Sequence, residues 1–179
     1  MSTDSHGFGH EQQAVDAWRA VAGRRRFEGR ASLAAFSRLQ GLLADARGEV
    51  VWSLQFDRDN LQVPFAELQV ETELPLECQR SLRRFLLPVR LMQRLGLLRA
   101  DSGSDEADEA ALPPGYEALL VPADGQLRLQ DIVEDELVLA VPPVPMEPGS
   151  EAVHRDWPAQ QAELAQANPF AALASLKKN

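Results

Sequence analysis

The sequence predicts an α+β fold: an antiparallel β-sheet core with flanking short helices, an acidic linker and an extended C-terminal tail. The sheet is predicted by Val50, Trp52, Leu54 and Phe56, which alternate with Val51, Ser53, Gln55 and Asp57 at the period of a strand. It is predicted again by residues 61–77, an extended run that follows the turn composition Asp57-Arg58-Asp59-Asn60. Short helices are predicted because apolar residues at helical spacing occupy only brief windows in a chain with 12 prolines and 11 glycines.

Taken in order, residues 1–13 are polar and read as a flexible N-terminus, and residues 14–145 as a single α+β domain. Ala14, Val15, Trp18, Val21 and Ala22 line one face of a short helix that Gly23 ends. Residues 23–30, GRRRFEGR, place Arg24, Arg25, Arg26 and Arg30 between glycines, as a solvated turn or an anion-contacting loop. Ser32 caps a helix predicted to run to about Ala44, with Leu33, Phe36, Leu39 and Leu43 once per turn.

In the return strand, Pro64 and Pro75 cannot donate to a ladder and fit bends or an edge. From Phe85 to Leu98 strand and helix periods overlap, but Pro88 would interrupt a helix begun at Leu82, so the sheet is expected to continue. Residues 101–111 form the acidic linker. Tyr116–Val121 reads as a strand and Pro122–Gly125 as a turn; residues 127–130, LRLQ, are a partner strand or the lead-in to a helix. Asp131 is the expected cap of that helix, with Glu134 at capping-box spacing. Residues 142–145, PPVP, stop the helix and wrap along the domain. Residues 146–179 are a polar tail ending in a short docking helix, with Phe170, Leu173 and Leu176 as its apolar face and Lys177 and Lys178 at its end.

The formal charge of −9 is unevenly placed. Residues 1–100 carry 14 basic and 12 acidic side chains, and residues 101–179 carry 4 and 15. Residues 78–99 hold Arg80, Arg83, Arg84, Arg90, Arg94 and Arg99 with no acid, so a phosphate-bearing partner stays open despite the global charge. A bend after Ser81 would let Arg80, Arg83 and Arg84 converge, and their guanidinium forks suit phosphate oxygens. Six phosphates engaged on single-stranded RNA would give a log-affinity against log-salt slope of about −4. Trp52, Phe65 and Phe85 could stack on bases, but their strand pattern places them in the core.

Catalytic and metal chemistries find little support. Structural zinc needs about four well-placed ligands, whereas Cys78 stands alone and His6, His10 and His154 are dispersed. No phosphate loop, dinucleotide fingerprint, zinc-protease or serine-hydrolase motif is present. Cys78 has no local base and is expected to be structural. No cofactor is expected. A single cysteine favours a reducing compartment, the cytoplasm. No stretch is apolar enough for a membrane span, and residues 1–10 lack the pattern of an export signal.

Residues 76–82, LECQRSL, resemble the LxCQRCL signature of the bacterial YceD proteins, the large ribosomal RNA subunit accumulation family. The likeness extends to Glu28-Gly29-Arg30, to Leu112-Pro113-x-x-Tyr116-Glu117, to residues 131–145 with Asp131 and Glu134, and to Asn168-Pro169-Phe170 with residues 171–178. By this resemblance Cys78, Gln79 and Arg80 are signature positions, while Ser81 replaces the second cysteine and removes a CxxC pair. Phe170 and its leucines would anchor to the same domain or to an assembly partner.

The resemblance implies a role in accumulation of large-subunit ribosomal RNA, and with no catalytic motif in the sequence the expected protein is a non-enzymatic factor promoting synthesis, processing or accumulation of 23S ribosomal RNA. Its expected partners are precursor or mature 23S rRNA, a large-subunit ribosomal protein or an assembly intermediate, with no DNA and no membrane. The arginines at 24, 25, 26, 30, 80, 83, 84 and 90, with Lys177 and Lys178, are the candidate contacts. A protein-only adaptor for a basic ribosomal protein or a processing enzyme is the alternative of another class, and a cryptic RNA-processing enzyme is a third.

Overall fold

The computed structural model describes residues 14–100 and 111–151. In chain order these form β1 (Ala14–Asp16), α1 (Ala17–Ala22), β2 (Arg26–Ser32), a 3-10 turn (Leu33–Ala35), β3 (Glu49–Arg58), β4 (Pro64–Glu77), β5 (Arg84–Arg99), β6 (Glu117–Val121), β7 (Gln126–Arg128) and α2 (Leu129–Ala140). Five strands make one sheet in the order β2-β3-β4-β5-β6, and β1 pairs with β7 in a separate ribbon. The fold is therefore α+β. The sheet is mixed rather than wholly antiparallel, because β6 lies parallel to β5. Strand direction follows from the path of the connection, which the strand's own residues do not encode.

One face of the sheet is buried. Val50, Trp52, Leu54 and Phe56 of β3 share it with Ala66, Leu68, Val70, Leu74 and Leu76 of β4 and Phe85, Val89, Leu95 and Leu97 of β5. Ala17, Ala20 and Val21 of α1 and Ile132, Val133 and Leu137 of α2 join the same core. Because side chains alternate strictly, the other face receives Arg26, Glu28 and Arg30 of β2, Gln55 of β3, Glu67 and Glu71 of β4, and Arg90, Met92 and Arg94 of β5. Trp52 and Phe85 thus lie in the core, while Phe65 sits on the other face, edge-on to Tyr116 with ring centroids 5.9 Å apart.

Several local expectations are corrected by tertiary contacts. Ser32 does cap, its Oγ accepting from Ala34 N at 3.3 Å, but the turn ends at Ala35 and no helix reaches Ala44. The groups such a helix would pair are engaged elsewhere. Ala34 O accepts from the Gln40 side chain at 2.8 Å, and Arg38 N donates to Glu134 Oε1 at 2.6 Å. Leu33, Phe36 and Leu39 are fully buried all the same.

The capping box at Asp131 and Glu134 does not form. β7 pairs with β1 as far as Arg128, so the chain passes from strand into helix at once, and α2 begins at Leu129 without a side-chain cap. Asp131 lies in the first turn and Glu134 points into the interior. Residues 127–130 are divided between β7 and α2, and the partner of β7 is β1 rather than β6. The same ribbon removes Ala14–Asp16 from α1, which starts at Ala17 with Asp16 as its cap. Arg26 and Arg30 stand on edge strand β2, so only Arg24 and Arg25 occupy a turn, Arg24 with φ 47°.

Pro64 opens β4 and Pro75 lies inside it. The β3 ladder ends at Thr72, and Pro75 O accepts from Ala44 N at 2.8 Å. The N–H that Pro75 lacks would face this edge side, so no ladder bond is lost there. The expectations for residues 1–13, 101–110 and 152–179 lie outside the described residues, among them those for Asn168, Pro169, Phe170, Lys177 and Lys178.

Candidate functional site

Residues 78–83 form the turn that joins the two longest strands, β4 and β5. Cys78 N donates to Arg83 O at 2.9 Å and Leu82 N to Cys78 O at 2.8 Å, with Leu82 in the left-handed region at φ 56°. Cys78 is fully buried. Its Sγ accepts from Glu147 N at 3.3 Å and Ser81 N at 3.5 Å, and hydrogen-bonds Ser150 Oγ at 3.3 Å. Gln79 N donates to Pro145 O at 2.8 Å, and Arg80 Nη1 donates to Ser150 O at 2.8 Å. Cys78, Gln79 and Arg80 together clamp residues 145–150 onto the hairpin. The Ser150 hydroxyl, with donors from Ser81 and Glu147, holds the Cys78 thiol down to about 6 against burial, which pushes it up. A clamp accounts for this environment without a nucleophilic role.

The Ser81 hydroxyl is buried beside the Cys78 thiol and has no well-aligned hydrogen-bond partner among the described residues. An unpaired buried hydroxyl costs about 1–3 kcal/mol, and a thiol at this position has less to lose on desolvation. Ser81→Cys is expected to raise the thermal midpoint in the presence of reductant. An unchanged or lower midpoint would mean that the hydroxyl is satisfied by water.

The candidate arginines fall into separate groups. Arg80, Arg83 and Arg84 all lie at the hairpin end, but Arg80 and Arg84 bind separate partners, Ser150 O and Asp45. Arg84 Nε donates to Asp45 Oδ2 at 2.6 Å, and Arg47 reaches the same oxygen at 3.0 Å. These two guanidiniums, Arg47 first, hold the Asp45 carboxyl well below the usual carboxylate range. Arg83 is exposed and makes no ion pair among the described residues. Arg90 and Arg94 instead face β4, pairing with Glu71 at 3.6 Å and Glu67 at 3.2 Å. Arg30 approaches Glu49 at 4.0 Å and Arg26 pairs with Glu28 at 2.7 Å.

Arg24 and Arg25 lie at the opposite end of the sheet, where Arg24 pairs with Asp57 at 3.2 Å and Arg25 stacks over Phe27 at 4.9 Å. The 14-residue β4 separates the two ends, a length of about 45 Å at the usual strand rise. The six arginines of residues 78–99 are therefore divided between the turn, with Arg80 and Arg83, and β5, where Arg84, Arg90 and Arg94 stand opposite Glu77, Glu71 and Glu67 of β4 and Arg99 stacks over Trp18. Sequence reasoning missed Arg47, Asp45 and Arg38; Asp45 is 39 residues from Arg84 and Arg38 is 96 from Glu134, although Arg47 and Asp45 are only two apart.

The remaining motifs are joints of the fold. Leu112 packs over Gly96, where a Cβ would come within 2.5 Å of Leu112 Cδ2, and Tyr116 Oη donates to Asp59 at 3.2 Å. Glu134 binds Arg38 through both its oxygens. Among the described residues no group of three His, Cys, Asp or Glu side chains is placed to hold a metal ion. No helix among them is long and apolar enough to cross a membrane.

Comparison with known proteins points to one family. The family described as "Large ribosomal RNA subunit accumulation protein YceD" matches residues 66–177. A Haemophilus influenzae protein of that name is 33% identical over 145 residues, spanning 76% of each chain. No solved structure matches.

Proposed function

The chain belongs to the YceD family of large ribosomal RNA subunit accumulation proteins, and from that membership we propose that it is a non-catalytic cytoplasmic factor that contacts precursor 23S rRNA through the β4–β5 hairpin end. The observation that carries this reading is the hairpin end, where Arg80, Arg83 and Arg84 lie in or beside the signature loop and Asp45 binds both Arg84 and Arg47. Glu77 and Glu147 temper the charge there, so the site suits a few phosphates rather than a long backbone track. Asp45 offsets one of the four guanidiniums. The other three would give a salt slope of about −2 on single-stranded RNA, half the value expected if all six arginines of residues 78–99 acted together.

Arg83→Glu is the clean test, since Arg83 holds no ion pair in the described fold. Binding to precursor and mature 23S rRNA, measured against salt, is expected to weaken about tenfold and its slope to fall to about −1.4, with an unchanged thermal midpoint. Equal and salt-insensitive binding by the variant and wild type would sink the hairpin contact.

A further inference from the structure

β6 ends the five-stranded sheet, so one edge of Glu117–Val121 has no strand partner among the described residues. A groove of about 550 Å³ runs here, floored by Leu119, Leu120, Leu127 and Ile132. Leu119 and Leu120 are consecutive strand residues and project to opposite faces. A groove lined by both follows the free edge of the strand. Its sequence, EALLV, contains none of the lysines or prolines that commonly blunt an edge, and Leu120 is 46% exposed.

The charge around this edge is negative. Asp124, Asp131 and Asp135 line the groove against Arg128 alone. Asp135 is held by Arg38, but Asp124 and Asp131 are exposed and have no ion pair among the described residues. Glu117 lies at the start of the same strand. Burial, followed by the charges of Glu117 and Asp135, pushes the Glu136 carboxyl above its ordinary range.

We propose that the β6 edge is a docking site for an extended, positively charged segment of a partner protein, added as an outer strand in the groove. Main-chain hydrogen bonds to β6 would give affinity, and basic side chains meeting Asp124 and Asp131 would give selectivity. Charge disfavours the other occupants. RNA would bring phosphates to a row of aspartates, and a second copy would bring a second such row. The chain's own residues 1–13 carry Asp4 and Glu11 and no lysine or arginine, and residues 152–179 set Asp156 and Glu163 against Arg155, Lys177 and Lys178, too little net charge to favour them over a basic partner. β6 pairs with residues 95–99, at the end of β5 away from the hairpin turn, so both surfaces can be occupied together.

The test uses the full chain and a short synthetic peptide alternating lysine with valine, read by fluorescence anisotropy. Its controls are the glutamate-for-lysine peptide and one N-methylated at every second residue. The lysine peptide is expected to bind in a salt-sensitive manner and the controls to bind at least tenfold more weakly. Asp124→Asn with Asp131→Asn should weaken it roughly fivefold to twentyfold, whereas Arg83→Glu should leave it unchanged, which separates this site from the RNA contact. Equal binding of the N-methylated or glutamate peptide would overturn strand addition, as would self-association of the protein that blocks the edge.

Discussion

Glu134→Ala is expected to lower the unfolding free energy by about 2–3 kcal/mol. The side chain is 7% exposed, and its two oxygens accept from Arg38 N at 2.6 Å and Arg38 Nε at 3.0 Å. Truncation leaves a backbone N–H orphaned and a guanidinium held only by Asp135 and Asp131 O. Arg38 is half exposed, so water recovers part of the loss and the lower end of the usual range for a broken buried pair applies. Glu134→Gln keeps an acceptor and should cost about 1 kcal/mol. Urea denaturation separates the outcomes, and midpoints equal to that of the wild type for both variants would mean that the latch contributes nothing. The same chain segment carries Asp45 and Arg47 toward Arg84, so a loosened latch should also weaken the RNA contact proposed for the hairpin end.

Gly29→Ala is expected to destabilise by about 2–3 kcal/mol. Gly29 pairs with Trp52 across β2 and β3, and a Cβ there would lie 2.5 Å from Trp52 Cζ2. The indole is 7% exposed and packed in the core, so it has no low-cost rotation away. The variant should retain its far-ultraviolet signature while Trp52 emission shifts and the thermal midpoint falls. Full stability in Gly29→Ala would show that β2 can move outward from the sheet edge. This contact also accounts for the glycine in Glu28-Gly29-Arg30: the position needs an absent side chain, not a special backbone angle.

The strands were legible because their cause is local. Alternation through Val50, Trp52, Leu54 and Phe56 and the break at Asp57–Asn60 specify a hairpin whatever lies beyond it. Pro88 argued correctly against a helix in β5. The helix from Ser32 failed for the opposite reason. Its spacing was right for burial, but the hydrogen bonds of Ala34 and Arg38 went to Gln40 and to a carboxylate 96 residues away. Sequence distance likewise hid the site: six arginines without an intervening acid looked like one positive island, and the antiparallel register set glutamates of β4 beside Arg90 and Arg94.

By itself the sequence determined the α+β class, the buried face of the sheet, the hairpin carrying the signature loop and the family resemblance. Each follows from residue type at short spacing. The tertiary structure alone decided the parallel placement of β6, the clamp of residues 145–150 on Cys78, and which guanidiniums remain without a carboxylate. Those outcomes depend on which distant backbone and side-chain groups reach each other first, and the strength of a hydrogen bond or ion pair depends on separation in space rather than along the chain.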